Sequence, residues 1–158
     1  MKKSKKMNNK GFTLVELIVV LVILAILAAI LVPTLLGYIE RAREEKDFST
    51  AQAVRVAVQS EIAELYGKGK DPVEWSDVEG AKEKIFKLIG ADSDGNLDGQ
   101  TIALSGGTIN SSNQLTYIKL TIGGKTYAYT TEGNKWVAGD EASSIAAPTG
   151  AATPTTTP

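Results

Sequence analysis

Among its 158 residues the chain has no cysteine and no histidine. The first absence excludes disulfide frameworks and thiol nucleophiles, the second excludes imidazole bases, and together they remove the usual zinc ligands. What folds here folds by packing alone, although a lack of cysteine does not fix the compartment. Acid is missing from the start: the first ten residues hold Lys2, Lys3, Lys5, Lys6 and Lys10 and no Asp or Glu. The whole chain is nearly neutral, with 17 Lys plus Arg against 18 Asp plus Glu, but residues 12–158 hold 12 basic and 18 acidic residues, a net of −6. Such a balance suits nucleic acid poorly, and no specific nucleic-acid partner is expected. The length has room for one modest domain and a long accessory element.

Polar residues are scarce in the next stretch. Residues 17–32 form a run of sixteen apolar residues, and between Phe12 and Leu36 only Thr13, Glu16, Pro33 and Thr34 interrupt. Twenty-five helical residues reach about 37 Å at roughly 1.5 Å each, enough for a hydrocarbon core of roughly 30 Å. The preceding lysines place the N-terminus in the cytoplasm and everything after Gly37 outside. Three readings compete. A cleaved secretory signal would end near Ala25, Ala28 and Ala29, but the run is too long and too bulky at its end. A plain signal anchor, holding a monomeric extracellular binding domain, fits the length. The third reading turns on Glu16, because a carboxylate inside a membrane helix costs roughly 2.5–3.5 kcal/mol unless it is interfacial, protonated or paired. An anchor has no use for that cost. The cation available at that depth is a new N-terminus, made by cutting between Gly11 and Phe12.

The stretch Gly11-Phe12-Thr13-Leu14-Val15-Glu16, with a short basic leader before it and an apolar helix after it, resembles the prepilin peptidase site of type IV pilins and pseudopilins. The resemblance covers residues 5–36. It implies that residues 1–11 are a leader removed by prepilin peptidase between Gly11 and Phe12, that Phe12 becomes N-methylated, and that Glu16 meets the free amine of a neighbouring subunit and sets register. Pro33 falls where the family has its helix-breaking proline. Sterics alone predict a kink there, since Pro33 lacks a helical hydrogen bond and disfavours helix at Val32. Where the family commonly has glycine eight residues earlier, this chain has Ala25, a strong helix former, which weakens the expectation of local unwinding. The implied partners are copies of the chain in a helical homopolymer, the peptidase, the assembly platform with its motor, and the membrane before assembly. The implied product is an extracellular pilus serving adhesion, twitching motility and surface attachment, matured from a single-pass membrane precursor. A pseudopilin or minor pilin of a type II secretion or DNA-uptake machine shares this N-terminal chemistry. Many Gram-negative pilins close a C-terminal loop with a disulfide, so the absent cysteines tilt the source towards a Gram-positive organism. No enzyme activity is expected; Glu74, Asp77 and Glu79 near Trp75 read as ordinary carboxylates at a helix start.

Beyond Gly37 the chain becomes charged, and Arg41 with Glu45 and Arg43 with Asp47 stand at i, i+4, as on a solvated helix face. Ala51, Val54, Val58, Ile62 and Leu65 then recur at helical spacing. The pattern predicts a helix over residues 12–66, ended by Gly67 and Gly69, with an apolar first half (12–37) and an amphipathic second half. A short helix is expected over 78–88. Strands are expected over 100–104, 115–122, 125–130 and 135–138, with Gly123-Gly124 and Glu132-Gly133-Asn134 as turns. The fold class is α+β, with the second half of the long helix packed on a small antiparallel sheet in a head ending near residue 145. Residues 146–158, rich in Pro, Thr, Ala and Gly, read as a disordered tail whose threonines are candidate glycosylation sites.

One loop offers metal chemistry. Asp94, Asn96 and Asp98 followed by Gly99 match the start of an EF-type calcium loop, and Asp92 adds a fourth oxygen-bearing side chain. Ser105 stands where the loop needs a bidentate glutamate. A solvated turn and a structural calcium site are both open, and calcium is the one cofactor the residues suggest.

Overall fold

The structure, a computed structural model, describes residues 11–147; the lysine leader before Gly11 and the tail after Ala147 lie outside the described residues. The chain divides into two compact units that meet between Glu44 and Glu45. One helix, α1 (Leu14–Gly67), contributes to both. In the first unit every residue from Leu14 to Glu44 is exposed, since a helix that is apolar on all sides has nothing in its own chain to bury against. The helix runs through Pro33. Pro33 has no N–H for the Ala29 carbonyl, and the Thr34 hydroxyl donates to the Ile30 carbonyl at 3.2 Å.

In the second unit α1 is amphipathic in the expected register. Ala51, Val54, Val58 and Ile62 are buried and Leu65 is partly so. The helix ends at Gly67, where Gly69 takes φ +91° and the Lys70 N–H donates to the Leu65 carbonyl at 3.1 Å. The expected helix over 78–88 is instead two short ones, α2 (Trp75–Gly80) and α3 (Lys82–Leu88), parted at Ala81. Helix α2 starts early because Glu74 and Asp77 form a capping box, the Glu74 N–H donating to Asp77 Oδ2 at 2.9 Å. It stops at Gly80, a poor helix former.

The sheet is an antiparallel meander of five strands in chain order: β1 (Asn96–Leu97), β2 (Gln100–Ile109), β3 (Leu115–Ile122), β4 (Lys125–Thr130) and β5 (Lys135–Ala138). Three of these match the expected bounds. Strand β2 does not stop at Leu104 but continues through Gly106 and Gly107 with a slip in register, because pairing to β3 carries a segment that has no side-chain alternation of its own. At Gly107 a Cβ would lie 2.2 Å from the Trp75 ring, so only glycine lets the indole lie against the strand. Ile102, Ile118, Leu120, Ile122, Tyr127 and Tyr129 face the buried stripe of α1, and Val78, Ile85 and Phe86 from α2 and α3 complete this core.

The other sheet face carries Lys119 and Thr121, which alternate with the core-facing residues of β3. It is covered in part by α4 (Asp140–Ser144), which buries Ala142 against Tyr117 and Ala128. Lys119 Nζ holds the end of α4 through the Ser143 carbonyl at 3.0 Å. Burial under this segment pushes the Tyr117 phenol above its ordinary value.

Candidate processing and assembly site

Gly11, Phe12 and Thr13 precede the helix and carry no regular structure, and Phe12 is 91% exposed. Thr13 stands at the N-cap and Glu16 at the third helical position. The Glu16 N–H donates to Thr13 Oγ1 at 3.3 Å, and the Thr13 N–H donates back to Glu16 Oε2 at 2.9 Å. The Thr13 hydroxyl also donates to Glu16 Oε2, at 2.8 Å. This is a reciprocal Thr-x-x-Glu capping box, and it satisfies two N–H groups that would otherwise be orphaned at the helix start. The carboxylate lies in the first turn, where the helix dipole favours negative charge. Sequence reasoning singled out Glu16 but missed Thr13. The signal was there: Thr and Glu three residues apart immediately before an apolar run.

From Leu14 to Ile39 the large apolar side chains stand in the open, among them Leu17, Leu21 and Leu24 at more than half exposure. A soluble monomer rarely exposes so large a continuous apolar surface. The helix is long and apolar enough to cross a membrane, by length and composition.

The family described as the prokaryotic N-terminal methylation motif matches residues 6–32, the segment that holds the capping box and most of the apolar run. A fimbrial protein of Dichelobacter nodosus is 32% identical over 94 residues, which is 60% of this chain and 58% of that protein. Both findings liken the chain to the type IV pilins. Its α+β architecture, a long N-terminal helix followed by a small antiparallel sheet, is consistent with a pilin fold. No solved structure matches the chain.

One reading of the charged residues changes. Arg43 and Asp47 do not make the expected surface pair, because Asp47 turns inward. It is 3% exposed; Oδ2 accepts from the Tyr127 hydroxyl at 2.8 Å and Oδ1 from Gln100 Nε2 at 3.1 Å. Its neighbour Lys46 reaches Asp98 at 3.0 Å, tying the same turn of α1 to the β1–β2 hairpin. The charged run at residues 40–47 is thus partly an attachment point, through Lys46 and Asp47, rather than a wholly solvated face.

Two of the four calcium candidates, Asp92 and Asn96, engage their side chains within the loop and its hairpin. Asp92 Oδ1 accepts the N–H groups of Asp94 and Asn96 at 3.0 and 2.7 Å, and Oδ2 accepts from Asn96 Nδ2 at 3.0 Å. These bonds, led by the Asn96 backbone N–H, hold the Asp92 carboxyl below its usual range. Asn96 Oδ1 accepts from the Thr101 hydroxyl at 2.8 Å, and Asp98 is paired with Lys46. Among the described residues no three of His, Cys, Asp and Glu converge on a point where a metal would sit. At Gly95, φ +83° and a virtual Cβ only 2.3 Å from the Ile102 carbonyl oxygen account for the glycine without any ion.

Proposed function

We propose that the chain is the structural subunit of an extracellular type IV pilus filament. The observation that carries the reading is the junction at residues 11–16. A Gly11-Phe12-Thr13 segment without regular structure leads directly into an exposed apolar half-helix whose lone acid, Glu16, lies in its first turn. The lysine-rich leader is cut off by prepilin peptidase between Gly11 and Phe12, and the new amine at Phe12 is methylated. Before assembly, residues 12–37 lie in the membrane with the head outside. In the polymer the same side chains pack between copies. Lipid is as apolar as they are, so shape and the pairing of Glu16 with a neighbour's Phe12 amine must supply the specificity.

Support comes from the methylation-motif match and from the likeness to a fimbrial protein. The chain spans 58% of that protein's length. Electron microscopy of cells with and without the gene tests the reading. Loss of surface filaments on deletion, with this chain as the bulk of the purified filament, is the expected result. A chain present only in trace in filaments built from another subunit, or serving a secretion or DNA-uptake machine, would assign it to the minor pilins or pseudopilins instead.

A further inference from the structure

We propose that the cleft beside Trp75 binds a neutral carbohydrate at the surface of the head, a role that goes beyond the filament reading and does not rest on it. The cleft has a volume of about 480 Å³ and lies between the loop at residues 71–75 and the end of β2 with the turn that follows it, residues 107–111. That size falls among small-ligand sites. Its aromatic wall is fixed on two sides. The Trp75 indole N–H donates to Glu79 Oε1 at 2.8 Å, and the six-membered ring rests on Gly107, where any Cβ would lie 2.2 Å from it. Trp75 is nonetheless only partly buried and still lines the cleft. A ring held still before the ligand arrives loses little freedom on binding, and its apolar face suits the C–H face of a sugar ring.

Polar groups with spare hydrogen-bonding capacity stand around the ring. Neither the Thr108 nor the Ser111 hydroxyl makes a hydrogen bond among the described residues, and Asp71 uses only Oδ1, which accepts from Asn113 Nδ2 at 3.1 Å. A hydroxyl both donates and accepts and a carboxylate oxygen accepts, which is the set that adjacent sugar hydroxyls need. Asp71 and Glu74 line the cleft and no Lys or Arg does, so an anionic ligand is repelled. A quaternary ammonium would be drawn to the indole and the carboxylates, but it has no hydrogen bond to give or take at Thr108 and Ser111. A neutral sugar engages all of these groups.

The test uses the full-length chain purified in a detergent without a sugar headgroup. The chain has two tryptophans, so Trp136→Phe leaves Trp75 as the sole source of indole emission. Cellobiose, lactose and N,N′-diacetylchitobiose are titrated to millimolar concentration, with choline chloride as the cationic probe. A saturable change in Trp75 emission with at least one disaccharide is expected, matched in the unaltered chain by saturation-transfer NMR signals on the sugar's ring protons. Thr108→Val combined with Ser111→Ala removes two hydroxyls that hold nothing in the fold, so the melting midpoint should stay unchanged while the sugar midpoint rises about tenfold or more. No saturable response to any of the disaccharides would overturn the proposal, as would a response that the double variant leaves unchanged. Saturable binding of choline with none of the sugars would overturn it too, assigning the cleft to an organic cation.

Discussion

Asp47 illustrates how a single residue can be misread from its surroundings. In sequence it belongs to a charged run, and i, i+4 spacing assigns it to Arg43; in the fold it is the buried acceptor for Tyr127 and Gln100. Spacing along a helix says which residues share a face, but not whether that face is the one the sheet covers. Tyr127→Phe should therefore destabilise the head by about 1–3 kcal/mol, the cost of leaving a buried carboxylate oxygen short of a donor, read as a lower denaturant midpoint with an unchanged slope. Gly107→Ala should cost a comparable amount, about 1–3 kcal/mol, because the new methyl group must displace the Trp75 ring. Asp92 carries a pH signature. Its folded pKa is depressed, mainly by the Asn96 backbone N–H, so its contribution is present above the unfolded value of about 4 and lost as pH falls through the lower folded value. Comparing Asp92→Asn with wild type across acid pH should show the two stabilities converging below about pH 4.

At the level of elements, the long helix, three strands and the Gly123-Gly124 turn were legible because each has a strong local signal: a 3.6-residue stripe, period-two alternation, or paired glycines, here at φ +56° and +85°. What sequence missed depends on tertiary partners. Strand β2 extends over glycines because β3 is there to pair with it, and α4 has only five residues, with one buried alanine to announce it. The capping box at Thr13 and Glu16 is local, and its Thr-x-x-Glu spacing is legible in the sequence. In the acidic loop the side chains of Asp92 and Asn96 are engaged within the turn itself, and Asp98 is paired with Lys46. Melting of the purified head in millimolar calcium and in chelator should give the same midpoint, since a bound ion would have to raise it by mass action. Ile62→Ala, which empties the α1–sheet interface, should cost about 2–5 kcal/mol.

For the whole molecule, the two units pose different problems. Residues 45–147 bury their own core, whereas the first unit leaves its entire apolar surface uncovered. That surface needs lipid or copies of itself, and in the proposed account cleavage at the leader boundary connects the two states by creating an amine that can donate to Glu16. The most direct measurement is the intact mass and N-terminal sequence of the subunit from purified filaments. The account predicts a chain that begins at Phe12 with one methyl group on its amine; a chain that begins at Met1, or beyond Ala25, would contradict it.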